Sequence, residues 1–380
     1  MKVLHLFANW KWTGPAEPAV NLATTLKQRG HDVRFACGSG PSVLPNDVAE
    51  EALRRGLVPI RTLRLGKHRN PILDALDRRA LRKLLRELRP DIVHCHMPND
   101  HRLALAAAEG LDLPIVRSVY DGDPPPVTSD SKKLLVGGCR AALVISDRIR
   151  DAVIERFGIP ADRVVTIDPA VDLRRFNPKA KGLPDLRETY GLKKDDFVVG
   201  IVARMQRHRR FELFFEALVR ASHQIPTMKV LLVGRGTWME EVAVKPAARK
   251  ELSGRAVFTG YRRGAEYVAT LKCMDVKVYL TPGSDGSCRA AREAMAIGVP
   301  LIAARRGHLV DLVEDGVTGV LVDDDADQIA SALVRLYQDK KAHDAMSEAA
   351  YARAHKRYGL LTQARRVEGV YEEILGRRKA

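Results

Sequence analysis

The sequence predicts an α/β chain built on two doubly wound parallel sheets, and three observations carry that prediction. At 380 residues the chain exceeds one ordinary core and suits two domains of similar size. Short apolar runs alternate with helix-period stretches through the first half, as crossover helices between parallel strands require. After a proline-containing break the same alternation begins again.

In the first half the expected strands are Val3–Ala8, Asp32–Cys37, Ile92–His96, Ile115–Val119, Ala142–Ile145 and Val164–Ile167. Helical periodicity fills Ala16–Arg29, Pro71–Leu88, His101–Ala108 and Arg148–Phe157. Asp168–Asp195, carrying Pro169, Pro178, Gly182 and Pro184, reads as the linker. Strands return at Val198–Val202, Lys229–Val233, Ala256–Thr259, Val276–Leu280, Leu301–Ala304 and Val320–Val322. Helices are expected at Arg210–Ser222, Gly264–Met274, Ala290–Ile297 and Ala326–Asp339, with helical character to the end. The expected division is 1–170, 171–358 and a C-terminal helix over 359–380 packing back on the first domain. Ligands of such a pair belong in a central cleft at the carboxyl ends of the strands.

Composition narrows the chemistry. No apolar run approaches the roughly 18–20 residues that span a bilayer, and the N-terminal run is too short for a signal peptide. Cys37, Cys95, Cys139, Cys273 and Cys288 lie far apart without a CxxC spacing, which argues against a zinc site or a disulfide framework and for the cytoplasm. The net charge of +16 implies an anionic partner. Between Arg54 and Arg89 there are 12 Lys or Arg against 3 acidic residues. Leu73, Leu76, Ala80, Leu84 and Leu88 are expected to form a buried stripe there. The basic faces are then either solvated or a surface that docks on anionic lipid, at about 1 kcal/mol per basic residue. The segment lacks interleaved aromatics and any nucleic-acid-binding module, so nucleic acid is not expected as a partner.

The most informative stretch runs from Ser284 to Pro300. It leaves a strand, turns through Gly283 and Gly286 and enters a helix. Asp285 and Glu293 thereby flank a helix N-terminus whose free N–H groups and partial positive charge suit a phosphate. The stretch resembles the E-x7-E signature of the family 4 retaining GT-B glycosyltransferases, with Asp285 at the first position and Glu293 at the second. The resemblance implies two Rossmann-like domains, a nucleotide-sugar donor, and retention of anomeric configuration. It implies that Glu293 bonds the nucleotide ribose and that Asp285 contacts the donor sugar as a catalytic residue. The backbone from Gly286 through Ser287, Cys288 and Arg289 faces sugar and phosphates.

Other segments extend the resemblance over nearly the whole chain. Val202 to Leu213 matches the segment in which an Arg and a Lys clamp the donor diphosphate, with Arg204 at the first and Arg209 replacing the second. Arg207, His208 and Arg210 add positive potential. Asp91-Ile92-Val93-His94-Cys95-His96 resembles a D-x-V-H-x-H segment, which makes His96 the catalytic histidine near the donor sugar and His94 a packed one. Gly14 stands where the family carries a glycine-rich loop opening the first helix. Ile167–Phe176, the V-G-x-G turn at Val233–Gly236, the Phe258–Tyr261 segment that frames the nucleobase (Tyr261 being a donor contact) and Val313–Gly319 complete the match.

With arginines serving the diphosphate, neither metal nor other cofactor is expected. Asp121-Gly122-Asp123 reads as a loop rather than a metal site, and Asp323-Asp324-Asp325 as a helix cap. The acceptor implied is a glycan, a lipopolysaccharide or a lipid-linked sugar, with the enzyme peripheral at the inner face of the membrane. Asp285, Ser287 and Cys288 in place of the family's Phe-Gly, and Arg210 in place of a loop Gly are departures. They leave open two alternatives: a nucleotide-sugar epimerase on the same fold, and a non-catalytic nucleotide-sugar-binding protein.

Overall fold

A computed structural model describes residues 1–40, 44–281 and 286–377. The chain forms two compact units. The first comprises Met1–Ala170 and Leu360–Ala380, with Gly286 and Ser287 grouped to it; the second comprises Val171–Gly283 and Cys288–Gly359.

The first unit holds a parallel sheet of seven strands. These are β1 (Lys2–Phe7), β2 (Asp32–Cys37), β3 (Pro59–Ile60), β4 (Ile92–Cys95), β5 (Ile115–Val119), β6 (Ala141–Val144) and β7 (Val164–Thr166). Their order is β3-β2-β1-β4-β5-β6-β7, so the winding reverses between β1 and β4. The strands are almost entirely buried, as helices on both faces demand of a parallel sheet. The crossover helices are α1 (Ala16–Gln28), α2 (Asp47–Arg54), α3 (Pro71–Leu88), α4 (Pro98–Ala108), the short α5 (Ser129–Lys132) and α6 (Asp147–Phe157). Local chemistry sets their ends. Asn70 caps α3 ahead of a proline at its first position, and Ser146 caps α6, which stops at a left-handed Gly158.

On α3 the buried face differs from the expected stripe. Asp77, Leu81 and Leu85 point inward, whereas Leu76 is 49% exposed and Ile72 is 75% exposed. Ala80, Leu84 and Leu88 of the expected stripe pack partly buried against the core, and the Asp77 carboxylate accepts the backbone N–H groups of Arg64 and Leu65 at 2.9 and 2.8 Å.

The second unit repeats the scheme with β8 (Phe197–Val202), β9 (Met228–Val233), β10 (Ala256–Gly260), β11 (Val276–Tyr279), β12 (Leu301–Ala304) and β13 (Gly319–Val322). Their order is β10-β9-β8-β11-β12-β13, all parallel. The helices are α7 (Phe211–Ala221), the short α8 (Lys245–Ala247), α9 (Gly264–Lys272), α10 (Arg289–Ala296), the short α11 (Leu309–Leu312), α12 (Ala326–Gln338) and α13 (Lys340–Arg357). The Asp325 side chain accepts the Asp327 N–H at the head of α12, the capping role expected of that aspartate run. The last helix, α14 (Leu360–Ile374), lies with the first unit. Its Glu368 bonds Arg29 and His31, and Arg366 pairs with Asp168.

The Val233–Gly236 turn packs against the loop after β8. A Cβ on Gly234, whose φ is +140°, would lie 2.0 Å from the Ala203 carbonyl oxygen, and one on Gly236 would lie 2.2 Å from that of Met205. Only glycine permits this approach. Gly234→Ala is expected to cost about 3 kcal/mol through backbone strain and displacement, read as a lowered melting temperature.

Candidate active site

In the first unit, chemistry gathers at the carboxyl ends of β1, β4 and β5, beside the reversal in strand order. The Asp100 carboxylate is fully buried and accepts N–H groups from Ala8 at 2.8 Å and Met97 at 3.0 Å. It thereby ties the ends of β1 and β4 together. Burial raises its pKa to about 7, and the Arg117 guanidinium, 3.8 Å away, works against that rise.

Beside this clamp three histidines stack: His5 from β1, and His94 and His96 at the end of β4. Their ring centroids are 4.4–5.2 Å apart. His5 Nδ1 meets His96 Nε2 at 2.9 Å, and His96 Nδ1 meets the Tyr120 hydroxyl at 2.6 Å. His94 joins the Tyr371 hydroxyl at 2.5 Å and the Ser118 hydroxyl at 2.8 Å. Burial holds all three imidazoles neutral, with His5 pulled down to about 3 and His94 and His96 well below their ordinary value. His96 is 1% exposed with both ring nitrogens engaged. Both ring nitrogens of His96 are thus already engaged in hydrogen bonds within the first unit.

Among the described residues these histidines are the one group whose ligand atoms, within 4.8 Å of one another, could hold a metal ion. The donor set argues otherwise. Ligation needs lone pairs converging on one point, whereas these rings stack face to face and spend five of six nitrogens on one another and on hydroxyls. The sixth, His5 Nε2, is buried without a hydrogen-bond partner. A stranded N–H is the costlier orphan, so the His5 proton belongs on Nδ1, donated to His96. His96 then carries its own proton on Nδ1 and donates to the Tyr120 oxygen.

The second unit assembles the other residues named from the sequence. Arg204 follows β8, is exposed, and has no ion pair or hydrogen bond among the described residues. Its backbone neighbours are braced by Ala203 N–H on Val233 and Met205 N–H on Arg235. Arg209 is half-buried and donates to the Thr281 carbonyl at 3.0 Å, where β11 leads toward α10. Arg207 and Arg210 are instead committed to carboxylates. The first forks onto Glu241 and lies 3.7 Å over the Trp238 ring; the second bridges Glu212 and Asp324. Their charge is largely neutralised in place, which corrects the free positive potential expected of them.

Cys288 stands immediately before α10, buried, with φ +51°. Ser287 before it is buried, Gly286 and Arg289 are half-buried, and Asp285 lies outside the described residues. Glu293 is 5% exposed and accepts the Tyr267 hydroxyl at 2.8 Å, with Arg289 3.9 Å from its other oxygen. Beneath it Lys277, wholly buried in β11, donates to the Ala290 carbonyl. Burial pulls the lysine down to about 7 while the Glu293 carboxylate works to raise it. The sequence reading missed Lys277 and Tyr267, although a lysine inside the apolar run Val276-Lys277-Val278-Tyr279 was a visible signal. Tyr261 is 56% exposed, flanked by Arg235 and Arg263 at 5.5 and 5.0 Å from its ring. Gly14 sits half-buried just before α1, in the first unit.

Comparison with known proteins fits this arrangement. Residues 14–175 match the model of Glycosyltransferase Family 4, and residues 184–353 that of Glycosyl transferases group 1. The chain is 25% identical over 382 residues to a phosphatidyl-myo-inositol mannosyltransferase of Mycolicibacterium smegmatis, covering 96% of this chain and 91% of that protein. It is 26% identical over 354 residues to the UDP-Gal:alpha-D-GlcNAc-diphosphoundecaprenol alpha-1,3-galactosyltransferase of Escherichia coli, covering 90% and 89%. Among solved structures, Anabaena Alr3699/HepE in complex with UDP superposes with a TM-score of 0.81 at 19% identity, covering 98% and 100% of the two chains. The fold is therefore the GT-B architecture.

The buried histidines make the chain acid-labile. His5 and His101 are each lowered by burial to about 3, against 6.5 when exposed, so the unfolded chain binds more protons between those values. Their stabilising contribution is complete above pH 6.5 and drains away as pH falls toward 3. Asp100, raised to about 7, has the opposite sign: its contribution is complete below pH 3.8 and lost as pH rises through 7. The histidines outnumber it, so the melting temperature should fall from pH 6.5 downward. His101→Gln, which keeps a donor for the Gly138 carbonyl, should flatten that slope by up to about 1.4 kcal/mol per pH unit.

Proposed function

The chain belongs to the group 1 glycosyltransferases, with a family 4 N-terminal half, and on that premise we propose that it moves a sugar from a nucleotide diphosphate sugar to a hydroxyl acceptor. The observation that carries this reading is a pair of placements in the second unit: Arg209 donates to the Thr281 carbonyl just beyond β11, and Glu293 lies buried in α10 against the Tyr267 hydroxyl. Arg204, Arg209 and the first N–H groups of α10 suit a diphosphate. Glu293 suits the ribose hydroxyls, and Tyr261 the base.

The reaction proposed is transfer with retention and without a metal. Arg204 and Arg209 stabilise the negative charge that develops as the nucleoside diphosphate leaves. The acceptor oxygen attacks from the same face and passes its proton to the departing phosphate. The names of the two relatives, a phosphatidylinositol mannosyltransferase and a diphosphoundecaprenol-linked galactosyltransferase, support a lipid-linked acceptor. The exposed Ile72 and Leu76 on α3, followed by Arg78, Arg79 and Arg86, support docking on an anionic membrane.

Two measurements check this reading. In a thermal-shift panel of UDP-glucose with GDP-, ADP- and dTDP-sugars, one donor should stabilise the protein by about 2.7 kcal/mol at 100 times its Kd. Arg204→Ala, Arg209→Ala and Glu293→Gln should each weaken it by about 10-fold or more; variants that bind and release nucleotide like the parent would refute the assignment. An acceptor-independent change in the donor sugar would point to an epimerase, and binding without turnover to a non-catalytic protein. The second measurement is co-sedimentation with vesicles containing about one-third phosphatidylglycerol. Binding should fall at least about fivefold when Ile72→Ser, Arg78→Ser and Arg79→Ser are combined, and equal binding would remove the membrane role.

A further inference from the structure

We propose that Lys277 is a positioning residue of the donor site: from inside the sheet it holds the first turn of α10 and, through its charge, the carboxylate of Glu293 that would accept the ribose hydroxyls. The assignment rests on the donor-binding role proposed above for Glu293, and it concerns a residue that touches no ligand itself.

A wholly buried lysine inside a strand needs an account, because a leucine would fill the space without the cost of burying a charge. Alternation along β11 fixes its direction. Val276 and Val278 pack into the core on one side of the sheet. Tyr279 packs into the other core, which holds Tyr267 of α9 and Cys288 and Ala291 at the head of α10. Lys277 shares the side of Tyr279, and its ammonium donates to the Ala290 carbonyl. A helical carbonyl points toward the next turn, so the ammonium lies beside the turn that carries Glu293, three residues on and on the same face. A cation near a helix N-terminus opposes the macrodipole, and burial opposes it further. Glu293, 5% exposed, is the buried anion that offsets both. Burial works to take the lysine's proton, and the carboxylate works to keep it there. The attraction is mutual, so the ammonium favours the charged form of the carboxylate. The other neighbours of Glu293 complete its orientation. Tyr267 donates to one oxygen at 2.8 Å from α9, and Arg289, partly exposed, lies 3.9 Å from the second. An ionised carboxylate only accepts hydrogen bonds, which is what a pair of hydroxyl donors requires.

The test is a double-mutant cycle read as the Kd of UDP-glucose, or of whichever sugar nucleotide of the thermal-shift panel stabilises the parent. Lys277→Met keeps the reach of the side chain and removes the ammonium, while Glu293→Gln removes the charge of the carboxylate. Glu293→Gln alone should raise Kd by about 10-fold or more, and Lys277→Met alone by about 5-fold or more. The two effects should not add. The double variant should bind within about threefold of Glu293→Gln, because a residue acting through Glu293 then has nothing to act on. Its melting temperature should exceed that of Lys277→Met, since no charge is left buried alone. A packing role would instead weaken binding and lower the melting temperature by the same amount in either background. Should Lys277→Met fail to fold, Lys277→Gln, which keeps a donor for the Ala290 carbonyl and loses the charge, enters the cycle with the same expectation. A double variant that binds more than about threefold weaker than Glu293→Gln overturns the assignment and leaves the donor reading standing. So does a Lys277 variant that binds like the parent while Glu293→Gln does not. If Glu293→Gln binds donor as tightly as the parent, or if the parent binds none, the donor reading itself falls and the assignment falls with it.

Discussion

A carboxylate buried at the reversal point of the first sheet sets the terms for everything built on that edge. Asp100 gathers the N–H groups of Ala8 and Met97, so the residues leaving β1 and β4 are fixed to one another before any ligand arrives. Charge buried this deeply is costly, and the proton that Asp100 retains up to about pH 7 reduces the cost. The site tolerates the arrangement because Arg117, itself buried, lies on the other side. His5 stands in β1, and His94 and His96 at the end of β4. Their stack exists because those two strands are registered, His5 pairing with His94 across the ladder. Removing the clamp would therefore disturb the histidine stack through the strand ends that carry it.

The second unit obtains its rigidity by another means. Both α7 and α10 start from a non-glycine residue in the left-handed region: Arg210 at φ +60° and Cys288 at φ +51°. Such residues cost roughly 1–2 kcal/mol each relative to glycine. The left-handed backbone survives at both positions where this chain departs from the family's glycine, so the surroundings hold it there. Arg210 is tethered to Glu212 and Asp324, and Cys288 is packed in the core around Ala291 and Met295.

Much of this was legible in the sequence, and the gaps have physical causes. Long apolar runs returned as strands within a residue or two, because a strand covered on both faces must be apolar throughout. The two-residue β3 and the helix α2 were missed: two residues carry no periodicity, and Asp47–Arg54 is dominated by charge. On α3 the stripe held at Ala80, Leu84 and Leu88 and failed at Leu76, where the buried position next along the helix is taken by Asp77. Arg204, Arg209 and Glu293 could be named as candidates from the family resemblance, but which arginines were already paired could not. Glu241 lies 34 residues from Arg207, and Asp324 lies 114 from Arg210. The stack of His5 with His94 and His96 gave no signal either, since only the sheet brings β1 and β4 together.

The same pairing bears on what the charge of +16 is for. Around the loops of the second unit Arg207, Arg210, Arg305 and Arg306 are offset by Glu241, Asp324, Asp315 and Asp323, which leaves few cations for a diphosphate. A diphosphate needs few: two or three well-placed donors bind it, and a diffuse excess would only attract competing anions. On α3, by contrast, Arg78, Arg79, Arg86 and Arg89 have no ion pair among the described residues. Evolution toward tighter donor binding would not put unpaired charge on a crossover helix beside exposed Ile72 and Leu76. The unpaired part of the basic excess on this helix therefore lies apart from the arginines of the second unit, on the face proposed above to meet an anionic surface.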